Sequence, residues 1–182
     1  MKVLLDTCVI YPTVMREMLL GVAAQGAFEP LWSQRILEEW RRAAVKLGPE
    51  GALQAESEIT LTQAAWPNAV VSWSPSLHDR LWLPDQNDVH VLAAAIVGSA
   101  DMIVTMNAKD FPRHVLAEEG LTRADPDQFL TGICEAQPET VYHVAQAVLA
   151  KAQALSGEQW TQRALMKKAR LPRLGKALMQ LV

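Results

Sequence analysis

Short apolar runs that stop on an acid or an amide constrain this chain most. Val3-Leu4-Leu5 is closed by Asp6, Met102-Ile103-Val104-Thr105 leads to Asn107, and Asp88 opens the Ala-rich run from Val89 to Val97. The first two runs read as buried strands, and the stretches between strands carry helical spacing. Strand–helix alternation gives right-handed βαβ units, a parallel sheet and helices on both faces. In such sheets chemistry gathers outside the carboxyl ends of the strands. A carboxylate just past a strand is therefore informative. Several together, without a balancing base, are unfavourable unless a cation holds them. Asp6, Glu39, Asp88 and Asn107 are placed to converge in this way and read as a metal site.

The pattern predicts strands at residues 2–5, 30–32, 70–73, 102–105 and 121–123. Pro12 suits the first turn of a helix whose apolar face is Val14, Met18, Leu19 and Val22, ending before Gly26. Ser33 is placed to cap the helix after the second strand. A helix over 50–65 carries Leu53, Ile59 and Leu61, residues 75–84 form a Pro-bounded loop, and residues 88–99 form a helix apolar nearly all round. The expectation is a three-layer α/β/α domain over 1–125, with four or five parallel strands. Beyond Asp125-Pro126 only helices are expected, over about 139–155, 160–170 and from Pro172, making 126–182 a helical C-terminal extension. Leu171, Leu174, Leu178 and Leu181 recur at spacings of three and four. They either join the core or bury against a second copy in a homodimer.

Composition narrows the classes. No apolar stretch approaches a bilayer span, and Asp6 comes too early for a signal peptide, so a cytoplasmic protein without membrane attachment is expected. Cys8 and Cys134 lack zinc-type spacing and read as small buried hydrophobes in a reducing compartment. The net charge of −3 conceals an asymmetry: residues 1–125 hold 10 Lys/Arg against 16 Asp/Glu, and residues 126–182 hold 7 against 4. From Trp160 on, Arg163, Lys167, Lys168, Arg170, Arg173 and Lys176 meet no acid. Such a segment suits a polyanion or an acidic partner protein, or is simply a solvated helix face.

Each candidate has a structural reading beside the chemical one. Asp6 ends a core strand, where a carboxylate has little structural purpose. Thr7 beside it either orients a carboxylate or forms the turn. Glu39 and Glu38 are separated by helical phase. With Ile36, Leu37, Trp40, Ala44 and Leu47 facing inward, Glu39 lies roughly 110° from the centre of the buried face and Glu38 roughly 150°. Glu39 can reach around the sheet edge, whereas Glu38 faces water. Asp88 as a helix cap would alone contribute about 1 kcal/mol, and a cap can also bind metal. Asp85 is a supporting carboxylate or a loop residue, and His90 a packed or hydrogen-bonded histidine. Asn107 offers a carbonyl to a metal or a water, Asp110 positions water or caps a helix leading to His114, and Thr105 bonds a carboxylate or phosphate. Arg16, Lys109 and Arg113 are cations that could offset the acids.

No GxGxxG, P-loop or GxSxG motif occurs. The Asp-x-Asp of haloacid-dehalogenase-type phosphatases fails at Cys8. What the chain resembles, over roughly residues 1–125, is the PIN domain, and in particular the VapC-type toxin ribonucleases of bacterial toxin–antitoxin pairs. Val3-Leu4-Leu5-Asp6-Thr7, Ser33 followed by Glu39, Asp88 with Leu92-Ala93-Ala94-Ala95, and Ile103-Val104-Thr105-Met106-Asn107 carry the resemblance. It implies a Mg²⁺- or Mn²⁺-dependent endoribonuclease, with Asp6, Glu39 and Asp88 as metal ligands and Asn107 or Asp110 placing the attacking water. It also implies products bearing a 5′-phosphate and a 3′-hydroxyl, and the readings of Thr7, Asp85 and Thr105 from the residues place them in support. RNA would be held by Lys109, Arg113, Lys167, Lys168 and Arg170, and a cognate antitoxin would restrain the enzyme. Asn107 stands where many members carry Asp, which leaves the metal count open. It also leaves open a catalytically weak module that binds RNA or protein on the same scaffold.

Overall fold

The computed structural model describes residues 1–181. In chain order the elements are β1 (Lys2–Leu5), α1 (Thr7–Ile10), α2 (Thr13–Ala24), β2 (Glu29–Ser33), α3 (Gln34–Val45), α4 (Pro49–Ala65), β3 (Val70–Val71), α5 (Pro75–Arg80), α6 (Val89–Val97), β4 (Met102–Val104), α7 (Arg113–Glu118), β5 (Thr122–Ala124), α8 (Pro126–Ala136), α9 (Pro138–Ser156), α10 (Gln162–Lys168) and α11 (Pro172–Leu178), with a 3-10 turn over Gln86–Asp88. The strands form one parallel sheet in the order β3-β2-β1-β4-β5. Successive strands step outward from β1 first to β2 and β3, then on the other side to β4 and β5. That reversal puts a topological switch point between β1 and β4, where α/β sheets hold their ligands.

The chain divides into two compact units: Met1–Tyr11 with Glu29–Arg123, and Pro12–Phe28 with Ala124–Val182. In the first, β1 pairs with β2 (Leu4 opposite Leu31) and with β4 (Leu5 opposite Val104). Val3, Leu4 and Leu5 are fully buried, as a strand flanked on both edges requires. Helix α6 rests on β1, β2 and β4, and Val89 through Ala95 are all buried. Ser33 caps α3 by accepting from the Ile36 amide at 3.3 Å, and Ile36, Leu37, Trp40 and Ala44 face inward.

Three expectations fail here for local reasons. Leu47 was placed on the buried face by extending the wheel past Val45, but the helix ends there and Leu47 is 70% exposed. In α4 the inward residues are Ala55, Ile59 and Thr62, one helical stripe, while Leu53 and Leu61 lie outside it and are exposed. The stretch read as a loop from Pro75 contains α5. Ser74 caps it by accepting from the Leu77 amide, and Pro75 occupies its first turn.

In the second unit, α2 packs against α9, and Gly21 permits the approach: a Cβ there would lie 2.5 Å from Val144 Cγ1. Phe28 and Phe129 meet edge to face at 5.1 Å. Leu171, Leu174 and Leu178 are buried within this chain, whereas Leu181 is exposed. The buried Asp127 of α8 accepts from the amides of Arg173 and Leu174, each at 2.9 Å, and so supplies the cap that α11 lacks locally. Asp127→Ala should therefore destabilise this unit by about 1–2 kcal/mol. Hydrogen exchange at the Arg173 and Leu174 amides, with urea denaturation, measures it. Asp127→Asn, which keeps one acceptor, should lose less.

Candidate active site

Asp6 is the first residue beyond β1, and its own amide continues the ladder to the Val104 carbonyl at 3.2 Å. Its carboxylate is held from three directions. Oδ1 accepts from the Thr7 amide at 2.6 Å, and Oδ2 accepts from Thr105 Oγ1 at 2.7 Å and from the Cys8 thiol at 3.0 Å. Asp6 thereby caps α1, a single turn that turns the chain away from the sheet edge. Thr105 is buried at the end of β4, so the Thr105–Asp6 bond ties the two strands that flank the switch point.

Thr7 does more than make the turn. Its hydroxyl donates to Glu39 Oε2 at 2.8 Å, bringing a residue from the second turn of α3 to the β1 end. Glu39 Oε1 lies 2.9 Å from Nε2 of the fully buried His90, out of line for a straight hydrogen bond, and 3.4 Å from Arg35 Nε. Burial alone would raise the Glu39 pKa. The contacts with His90 and Thr7 and the charges of His90 and Arg35 outweigh it, so the value falls below the ordinary carboxylate range. Glu38 is exposed.

The third group comes from the loop before α6 and the loop after β4. Asp85, Asp88 and Asp110 each turn a carboxylate oxygen inward, and these three atoms lie within 4.8 Å of one another. Asp88 stands at the cap position of α6, yet its side chain makes no capping bond. Asp85 does the capping work, accepting from the Asn87 amide at 2.9 Å to start the 3-10 turn. Asp88 instead accepts from Asn107 Nδ2 at 3.2 Å. Asn107 thus presents an amide donor to Asp88, and its own backbone N–H donates to Thr105 Oγ1 at 3.0 Å. Partial burial pushes Asp88 up to a pKa of about 6, with the charges of Asp6, Asp85 and Asp110 adding to the rise.

The structure therefore brings together Asp6, Thr7, Glu39, Asp85, Asp88, Thr105, Asn107 and Asp110 at the sheet edge, in two linked groups. Thr7 joins Asp6 to Glu39, and Asn107 joins Thr105 to Asp88. Asp6 and Glu39 stand outside the tight trio of Asp85, Asp88 and Asp110. Asp110 does not cap the following helix, since α7 begins after Pro112 with no side-chain cap. Lys109 and Arg113 are exposed. Arg16, offered as a cation that could offset the acids, is buried at 3% exposure and belongs to the second unit. Lys167, Lys168 and Arg170 also belong to the second unit.

Cys8 departs from its reading as a buried hydrophobe. It is half-buried, donates to Asp6, and accepts from the Met106 amide at 3.2 Å. Burial, then the Asp6 charge, push its pKa up to about 12, so it stays a neutral thiol. No sequence signal marks this role, because two of its three partners, Thr105 and Met106, lie far along the chain.

Carboxylates and an amide converging at the switch point of a parallel sheet define a class of α/β protein built around an acidic, oxygen-rich edge. A family model for the PIN domain matches residues 2–109, and the chain belongs to the PIN domain family. No similar curated protein and no similar solved structure was found. PIN domains are generally metal-dependent nucleases. The donor set fits a hard divalent cation: it is all oxygen, and Asp88 carries repulsion that a positive ion would relieve. Among the described residues no helix is long and apolar enough to cross a membrane.

The raised Asp88 pKa has a defined consequence. Its ordinary value is 3.8, so between that and about 6 the folded state binds more protons than the unfolded one. The stability this group confers is full below 3.8 and is lost as pH rises through 6. In metal-free protein, Asp88→Asn should raise the Tm at pH 7.5 and leave it nearly unchanged at pH 4. Thermal melts in EDTA test this, and a Tm lowered at pH 7.5 would contradict it.

Proposed function

We propose that this protein is a Mg²⁺- or Mn²⁺-dependent endoribonuclease. The observation that carries this reading is the crowding of Asp88 by Asp6, Asp85 and Asp110 at the β1/β4 edge. Asp6, Glu39 and Asp88 hold the cation, directly or through water. Thr7 and Thr105 fix the carboxylates by donating to Glu39 and Asp6. Asp85 supports Asp88, and Asn107 and Asp110 orient the attacking water. A divalent cation held by these residues would supply a more acidic water and a charge that stabilises the phosphate in the transition state. No side-chain nucleophile is required, which agrees with Cys8 being held as a neutral thiol. In-line attack leaves a 5′-phosphate and a 3′-hydroxyl.

RNA is the substrate, and Lys109, Arg113, Lys167, Lys168 and Arg170 are its phosphate contacts. The protein acts in the cytoplasm as the toxin of a type II toxin–antitoxin pair. A cognate antitoxin restrains it, and a homodimer is a further assembly to test. The support for the toxin role is the VapC-like run of motifs around Asp6, Asp88 and Asn107.

Purified protein should cleave RNA with Mg²⁺ or Mn²⁺ and stop in EDTA. Asp6→Ala should reduce the rate by about a hundredfold or more, the scale on which loss of one preorganised charged group acts. Cleavage by Asp6→Ala at the wild-type rate would overturn the assignment. RNA retention that survives EDTA, with no products at high Mn²⁺, would point to a binding module instead.

Glu39 and Glu38 supply a separate test. Glu39→Gln should abolish cleavage and weaken Mn²⁺ binding with an unchanged circular dichroism spectrum. Glu38→Gln, being exposed, should shift stability by under about 0.5 kcal/mol and leave cleavage intact.

A further inference from the structure

Among the described residues, Arg170 is one of two non-glycine residues with positive φ, at +61°. It occupies the turn between α10 and α11. There the Leu171 amide donates to the Met166 carbonyl at 2.8 Å and the Arg170 amide to the Lys167 carbonyl at 3.1 Å. This is a Schellman turn, whose left-handed position ordinarily takes glycine. A side chain there is strained, and such strain persists where a residue has another use. Gly175 closes the hairpin beyond the turn: a Cβ on it would lie 2.9 Å from Met166 Cβ.

The tight hairpin holds Arg163 and Lys167 one turn apart on α10, Arg170 at the bend, and Arg173 and Lys176 on α11. All five are exposed. None of the five forms a side-chain hydrogen bond or ion pair among the described residues. Lys168, a further phosphate contact of the proposed function, differs from the five in having a partner, with Nζ 4.4 Å from the Trp160 ring centre. Asp127, the acid that meets α11, is buried and occupied with its amides. The aromatic ring beside α10, Trp160, has a face covered by Lys168 Nζ, so that face offers an unpaired base no place to stack, and stacking is the feature that marks single-strand sites. A rigid set of cations suits instead the regularly spaced phosphates of a duplex, read by shape and not by base.

We propose that the α10–α11 hairpin is a sequence-independent phosphate-binding platform for base-paired RNA, with Arg170 as its central contact. This names the substrate class of the nuclease reading and rests on that reading for the choice of RNA. The binding itself is measured without metal and so stands or falls separately.

The full-length protein is titrated in EDTA, across a range of KCl, with an RNA stem-loop, its unpaired strand, and duplex DNA of the same sequence. The stem-loop should bind tightest, with steep salt dependence. Replacing Arg163, Lys167, Arg170, Arg173 and Lys176 with Gln should weaken it by about a hundredfold and flatten the log–log salt slope by several units, nearly one per lost phosphate contact. Arg170→Gly should raise the Tm by relieving the turn, yet weaken stem-loop binding about fivefold, near the worth of one phosphate contact. Arg170→Lys should retain affinity. A purely structural Arg170 would leave binding intact in Arg170→Gly. That result, an unchanged salt slope in the five-fold variant, or equal or tighter binding of the unpaired strand or the DNA overturns the proposal. So does a five-fold variant that keeps stem-loop affinity but loses a poly-glutamate probe, which would mark a protein-docking surface.

Discussion

The bond from Thr105 Oγ1 to Asp6 Oδ2, at 2.7 Å, joins the ends of adjacent strands where the sheet order reverses. Both residues are nearly out of contact with water, so an unpaired hydroxyl or carboxylate there would carry a desolvation penalty of about 1–3 kcal/mol or more. With Asp6 fixed, its other oxygen receives the Thr7 amide, and the Thr7 hydroxyl is left to hold Glu39. Thr105 in turn accepts from the Asn107 amide, and the Asn107 side chain reaches Asp88. Two polar chains spread from one buried pair. Each acidic side chain on them is positioned by a donor that stands at a strand end, on a first helical turn or in the loop just after β4.

The acids do not share one environment, and that difference gives them different capacities. Glu39 has a histidine, an arginine and a hydroxyl around it, and together they hold its pKa below the ordinary carboxylate value in spite of burial. Asp88 has mainly other carboxylates around it and one neutral amide. Groups whose surroundings push their pKa values apart divide labour in a site. Here the surroundings of Glu39 favour its anion, whereas those of Asp88 disfavour its anion until a positive charge is placed among its neighbours.

What could be read in advance follows from the range over which each signal acts. Strand positions, the capping role of Ser33 and the phase that separates Glu39 from Glu38 depend on residues within one or two turns, and the structure agrees with each. Phase extrapolated beyond a helix end failed at Leu47, and a residue count could not reveal which stripe of α4 is inward. Asp85 and Asp110 sit in loops, where no period tells which way a side chain turns, so their convergence with Asp88 is visible only in three dimensions. The link from Cys8 to Met106 spans most of the first unit. Likewise, the grouping of residues 12–28 with the helices after 124 arises from contacts between distant segments, which local patterning does not encode.

An edge that gathers like charges must be held together by something other than those charges. In the first unit that work falls to β1 and α6, which contribute Val3, Leu4, Leu5 and Val89 through Ala95 to a buried apolar block directly beneath Asp6 and Asp88 in the chain. Fully burying aliphatic side chains contributes about 1.5–3 kcal/mol each for the larger ones. That exceeds what desolvation and repulsion, which together move one carboxylate from 3.8 to about 6, take away. The arrangement is consistent with sites generally being less stable than the frames that carry them. The short reach from a core residue to its neighbouring acid, one position from Leu5 to Asp6 and one from Val89 to Asp88, is what lets a rigid frame impose an electrostatically unfavourable geometry.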